Sequence, residues 1–191
     1  MLIDNLDELF KKSESAKRQK GILWFGISGS WRKTNFEVER SVRNAVKKII
    51  ARGDGIISGG ALNVDYFATD VAMELNFATD KIKIFLPVIL ELYAAHYRKR
   101  AGEGVITIKQ AEDLIFQLEE LKRRNPNSII ENKTNKVVDD EAYFERNGAV
   151  VDASDALLAF QVNDSFGCED TIQKALNQGK NVYLEKYTIN D

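Results

Sequence analysis

The chain has 191 residues, 44% hydrophobic and 29% charged, a length suited to one domain with a sizeable core. Its net charge of −2 lacks the basic excess of a protein that grips nucleic acid by the phosphate backbone, so nucleic acid is not the expected partner. One cysteine, Cys168, excludes an intramolecular disulfide and fits a reducing compartment.

The first residues, Met1 to Asp7, are acidic and lack a basic segment followed by an apolar run, so no signal peptide is expected. No apolar stretch is long enough to span a bilayer, and the expected location is cytoplasmic. Leu2, Leu6, Leu9 and Phe10 fall at helical spacing and predict an amphipathic helix. The basic run from Lys11 to Lys20 reads as its solvated end or as a linker, so that residues 1–20 precede the regular fold.

Gly21 to Ile27 is an apolar run ending at Ser28-Gly29-Ser30, the signal of a buried strand followed by a turn. Thr34 with Glu37 fits a capping box, and Phe36, Val38, Val42, Ala45, Val46, Ile49 and Ile50 give the helical face that follows. Ile56-Ile57 leads into Ser58-Gly59-Gly60-Ala61, and Val64 to Leu75 continues as a helix. Lys81 to Leu86 is a third strand, stopped by Pro87. This β-α-β-α-β order predicts an α/β, Rossmann-like three-layer sandwich with a mainly parallel sheet.

Residues 88–151 break the rhythm and read as a helical insertion over one end of the sheet, within a single domain spanning 1–191. A helix beginning at Thr107 or Lys109 carries Leu114, Ile115, Leu118 and Leu121, and a second runs from Ala142 to Val151. Between them Asn125 to Ser128 is a break and Asn132 to Asn135 a polar loop. Ala156 to Phe160 is then a strand, Cys168 to Asn177 a helix ended by Gly179, and Asn181 to Leu184 a last strand.

Three strand-to-helix junctions carry small polar residues: Ser28-Gly29-Ser30, Ser58-Gly59-Gly60-Ala61 and Ser165-Phe166-Gly167-Cys168. A parallel sheet brings such junctions together at the carboxyl ends of its strands, where ligands of open α/β folds bind. Glycine admits a phosphate close to the backbone, and the following helix presents free amides and partial positive charge. Taken singly, each glycine also fits a plain tight turn. The shared reading is a composite anion site in which Ser58 to Ala61 forms a phosphate cradle.

Four segments together resemble the SLOG superfamily, the Rossmann-like group that includes DNA-processing protein A and the LOG phosphoribohydrolases. They are Gly26 to Ser30 followed by Glu37 or Glu39; Ser58 to Ala68, similar to a pattern S-G-G-A-x-G-[VI]-D-x-x-A; Tyr143 to Asn147 before Asp155 to Phe160; and Ser165 to Val182. The resemblance implies a nucleotide or ribosyl phosphate as partner, held by Ser58, Gly59, Gly60, Ala61, Ser165, Gly167 and Thr171, and it implies a homodimer. Asp65 is then placed to bond a sugar hydroxyl, to brace the loop, or simply to favour the first helical turn. Arg146 matches an arginine that supplies a bidentate fork to phosphate and is the candidate catalytic residue; its plain alternative is an ion pair with Glu145. Thr171 stands where the hydrolases of this group keep a glutamate, so the primary reading is a binding protein, a sensor or sequestering module. Phosphoribohydrolase activity and single-stranded DNA binding are the alternatives. Asn63 stands where the group often has glycine, and asparagine tolerates left-handed backbone.

Tyr93, Tyr97 and Arg98 follow Pro87 and are a candidate lid over the ligand edge, with the aromatic rings set to stack on a base; the alternative is a solvated helix with aromatic core positions. His96, the single histidine, reads as structural or exposed, and Cys168 as a packing residue. No metal-ligand spacing occurs, and neither metal nor cofactor is expected. Lys11-Lys12, Lys17-Arg18 and Arg123-Arg124 read as solvated helix faces.

Overall fold

The computed structural model describes residues 1–190, and its helices begin largely where the chain supplies caps. Strand β1 (Leu2–Ile3) precedes α1 (Leu6–Lys20), which is capped by the Asn5 side chain. Strand β2 (Trp24–Gly29) leads to α2 (Phe36–Ala51), β3 (Gly55–Ser58) to α3 (Val64–Leu75), and β4 (Ile82–Leu86) to α4 (Leu90–Gly102). Then come α5 (Ile108–Arg124), β5 (Ile129–Glu131), α6 (Asp140–Ala153), β6 (Ala156–Val162), α7 (Phe166–Asn177) and β7 (Asn181–Tyr187).

The strands form one sheet in the order β1-β7-β6-β2-β3-β4-β5, and every pairing is parallel. Strand β6 shows how the two faces are covered. Ala156, Leu158, Phe160 and Val162 join the larger core with α1 and α2, while Leu157 and Ala159 join a smaller one with α6 and α7. Burial on both faces explains why β3 and β6 read as unbroken apolar runs. The chain leaves β2 toward β3 on one side and returns to β6 on the other, so the topological switch point lies between β2 and β6. No helix among the described residues is long and apolar enough to cross a membrane.

Several local expectations shift. Leu2 is in an edge strand, not in the first helix, because Met1 to Ile3 pair along β7 before Asn5 caps α1. Helix α2 is capped by Asn35, whose side chain accepts from the Val38 amide at 2.9 Å; Thr34 falls one residue too early. Residues 88–151 are mainly helical and also hold β5, which extends the sheet beyond β4. With three residues, β5 is too short for alternation to mark it.

The basic end of α1 is also more than a solvated face. Lys17 pairs with the fully buried Asp54, which further accepts from the Leu23 amide at 3.0 Å and from Arg52 Nε at 3.1 Å. Lys20 pairs with Asp155, whose other oxygen accepts from the Trp24 amide at 2.8 Å. Two carboxylates thus fix the entry of the central strand to α1. Replacing Asp54 with Ala removes the shared acceptor and leaves a buried amide unsatisfied. The expected loss is about 2–3 kcal/mol of stability by urea denaturation.

Candidate functional site

At the carboxyl ends of β2, β3 and β6 lies a cavity of about 740 Å³. The three small-residue junctions meet there: Ser28, Gly29 and Ser30 from the first, Gly59 and Ala61 from the second, Ser165 and Gly167 from the third. Asp65, Arg146 and Thr171 also line it. Ser58 and Gly60 do not; both lie beneath the surface of the turn.

The geometry of that turn explains the difference. Gly60 has φ +65, and a Cβ there would meet Ile84 Cγ2 at 2.7 Å, so its backbone is pressed onto β4. Its amide donates to Ser58 Oγ at 3.4 Å, and its carbonyl accepts from the Tyr93 hydroxyl at 3.2 Å. The amides of Gly59 and Ala61 both donate to Asp65 Oδ2, at 3.0 and 3.2 Å. The turn is therefore a cradle already filled by the protein's own carboxylate, and Asp65 braces the loop through Oδ2. Burial pushes the Asp65 carboxyl above its ordinary range; Arg146 and the amides of Ala61 and Gly59 pull it back only in part.

Arg146 comes from α6 and lies across Gly59: a Cβ on Gly59 would sit 1.4 Å from Arg146 Nη1. Its side chain is 10% exposed, and Nη1 stands 3.9 Å from Asp65 Oδ2, within range of attraction and beyond hydrogen bonding. The guanidinium carbon lies 5.4 Å from the centre of the Tyr143 ring, and Nε is buried without a partner. The alternative pairing with Glu145 does not form, since Glu145 accepts from Asn135.

On the opposite wall, α7 begins at Ser165 with no side-chain cap, and a Cβ on Gly167 would meet nothing within 4 Å. The first turn of α7 thus faces the cavity with uncapped amides and open space. Thr171, at the position of the hydrolase glutamate, donates its hydroxyl to the Gly167 carbonyl at 2.9 Å. The neighbouring acids are engaged: Glu169 accepts from Gln161 and Gln173, and Asp170 from Asn147 and Lys174.

The expected lid does not form. Tyr93 and Tyr97 are 1% and 5% exposed, with ring centres 4.9 Å apart, and they underlie the Gly59–Ala61 turn and the cavity wall. Arg98 is exposed and bonds Glu112 through two nitrogens at 2.9 and 3.0 Å, away from the cavity. His96 does line the cavity, 3.4 Å from the Tyr143 hydroxyl; burial, Arg100 and Lys99 all lower its pKa, favouring neutral imidazole. Cys168 is fully buried and its thiol is pushed up to about 12 by burial, in keeping with a packing role. Among the described residues no group of three or more His, Cys, Asp or Glu is placed to hold a metal.

Trp31, Arg32 and Lys33, absent from the residues expected at the site, line the cavity directly after Ser30. Their signal was an aromatic and two cations immediately beyond a strand-to-helix junction. Phe144 and Phe166, with ring centres 5.7 Å apart, stand on the facing side.

No family model and no curated protein matches the sequence. Among solved structures, DNA processing protein A from Helicobacter pylori matches with TM-score 0.60 and 19% identity over 88% of this chain and 66% of its own. The same protein from Streptococcus pneumoniae matches with TM-score 0.57 and 13% identity over 90% of this chain and 51% of its own. The chain therefore shares the Rossmann-like fold of these proteins and spans about two thirds and one half of their lengths.

The raised Asp65 pKa has a measurable consequence. A carboxyl raised in the folded state stabilises fully below its unfolded pKa, near 3.8, and loses that contribution as pH rises through the folded value. The stability of the wild type relative to Asp65→Asn should therefore be greatest at the acid end and fall as pH increases, as read by denaturation at a series of pH values.

Proposed function

We propose that this protein binds a nucleotide or a related ribosyl phosphate at the β2–β6 switch point, as a SLOG-type ligand sensor or sequestering module. The observation that carries the proposal is Arg146: a nine-tenths-buried guanidinium, without a hydrogen bond at Nε, bordering a cavity of about 740 Å³. A buried cation with unused donors calls for an anion, and a phosphate suits its planar fork. The uncapped first turn of α7 and the hydroxyls of Ser28, Ser30 and Ser165 supply further donors around the same space. The Gly59–Ala61 turn acts here as the seat of Asp65 and Arg146 instead of touching phosphate with its own amides. A volume within the usual range for small-molecule sites, with aromatic walls, suits a sugar and base as well as phosphate.

Calorimetry against nucleoside mono-, di- and cyclic phosphates is expected to give saturable binding, and a blank panel overturns the proposal. Arg146→Ala should weaken that binding about ten- to a hundredfold. Gly59→Ala should do the same without removing any charge, because its methyl group takes the place of the guanidinium.

A second reading is single-stranded DNA, favoured by aromatic–cation pairs, some of whose members line the cavity. Arg32 lies 4.8 Å over Trp31, Arg40 lies 5.9 Å over Phe36, and Lys174 lies 5.3 Å over Phe144; Phe36 and Phe166 are each 75% exposed. Stacking platforms flanked by cations are what sequence-tolerant strand binding uses. The Helicobacter pylori protein of the same fold is described by its single-stranded DNA binding mode. A gel shift with a short oligonucleotide at physiological salt tests this. Retardation that falls about tenfold or more in a Phe36→Ala, Phe166→Ala double variant supports it, and no retardation removes it.

A further inference from the structure

Asn63, immediately before α3, has φ +61 and ψ −106. Non-glycine residues hold such backbone only where their surroundings impose it. The usual return for an asparagine at this position is a cap on the following helix, yet its side chain makes no cap bond to α3. Instead Asn63 Nδ2 donates to the Trp31 carbonyl at 2.6 Å, across 32 residues of sequence. The two segments are already in close register. A Cβ on Gly29 would lie 2.4 Å from Val64 Cγ2, so the start of the β2–α2 turn rests on the first residue of α3. The strained residue and its single long-range bond therefore converge on the placement of Trp31, which borders the cavity and carries Arg32 over its ring at 4.8 Å.

We propose that Trp31 is the stacking platform for a planar heteroaromatic ring, and that Asn63 is the residue that positions it. The proposal rests on the nucleotide reading of the cavity and assigns the base end of the ligand. Ser28 and Ser30, which precede Trp31 in the same turn, line the same cavity as Arg146 and the first turn of α7. The platform thus adjoins the anion-binding wall. An indole offers a rigid apolar surface that accepts any base by its π-face, and the neighbouring Arg32 guanidinium, 4.8 Å from the ring centre, adds a cation beside it. The tether keeps that surface over the cavity before the ligand arrives.

Two variants separate strain from tether. Asn63→Gly suits φ +61 but lacks the donor, and Asn63→Asp tolerates left-handed backbone but cannot donate. In a Trp24→Phe background, where Trp31 is the remaining tryptophan, Asn63→Gly should melt at the same or a higher temperature, and both variants should make Trp31 more accessible to acrylamide quenching. In calorimetry, AMP and GMP should bind either variant about tenfold more weakly, as they should Trp31→Ala, while ribose 5-phosphate binds all of them as it binds the wild type. Unchanged quenching in both Asn63 variants overturns the tether. Equal losses for ribose 5-phosphate and the nucleotides overturn the stacking role, as does wild-type protein that binds ribose 5-phosphate as tightly as AMP. Wild-type protein that binds neither class fails the cavity reading itself and the platform with it, while the quenching still decides the tether.

Discussion

The site depends on one carboxylate placed where a ligand's anion would be sought. Asp65 lies in the first turn of α3 and takes both free amides of the Gly59–Ala61 turn. Everything around it follows from that choice. Gly59 has no side chain, so Arg146 can lie across the turn; Gly60 turns left-handed, so the backbone can press onto β4 and offer its carbonyl to Tyr93. Helices α3, α4 and α6 are thereby brought to a single buried charge. Arg146 stays 3.9 Å from Asp65. At that distance it offsets the charge while keeping its donors uncommitted. On the proposed reading, an anion in the cavity would complete a row of carboxylate, guanidinium and anion, in which the arginine serves two negative partners and no existing hydrogen bond has to break.

Net charge is a poor guide to the electrostatics of this cavity. The chain carries −2 overall, but of the three acids that line the cavity, Asp65, Asp139 and Asp140, the first two are engaged. Asp65 bonds two amides and Asp139 caps α6 through the Ala142 amide. Two of the four Lys and Arg side chains of the wall, Arg146 and Arg32, lie over aromatic rings, which leaves their hydrogen-bonding edges available. Helix α7 adds its amino-terminal field from the other side. Local potential, and not the sum over the surface, is what an incoming phosphate meets.

Much of the fold was legible because the sheet is parallel and buried. Trp24–Gly29, Gly55–Ser58 and the Ala156 to Phe160 part of Ala156–Val162 are mainly apolar runs, Ile82–Leu86 alternates around Lys83 and is stopped by Pro87, and each signal is local. Strands of two and three residues, Leu2–Ile3 and Ile129–Glu131, are defined by their neighbours and leave no period to read. The site divides in the same way. Glycine and serine at strand ends could be read directly, and Arg146 could be located from the motif around it. Tyr93 and Tyr97 could not be oriented from sequence: they share one face of α4 with Leu90 and Ala94, and only packing against the Gly60 turn makes that face inward. Likewise Asp65 had several chemically reasonable uses, and only the turn's geometry shows that it braces the loop.

Backbone strain is distributed to the same end. Of the four non-glycine residues with positive φ among those described, Asn63, Asn163 and Asp164 stand in the loops at the carboxyl edge of the sheet. Asn63 is tied to Trp31; Asn163 is tied to Ile189 by two bonds, donating to its carbonyl at 2.7 Å and accepting from its amide at 2.9 Å. Asn163 and Asp164 swing the chain from β6 into α7 so that the uncapped first turn faces the cavity. Loops at such an edge would ordinarily be mobile, and a ligand would have to order them at a cost to affinity. Here the tethers lie within the protein, on both sides of the switch point, so the walls are set during folding, and on the proposed reading little of a ligand's interaction energy would be spent on arranging them.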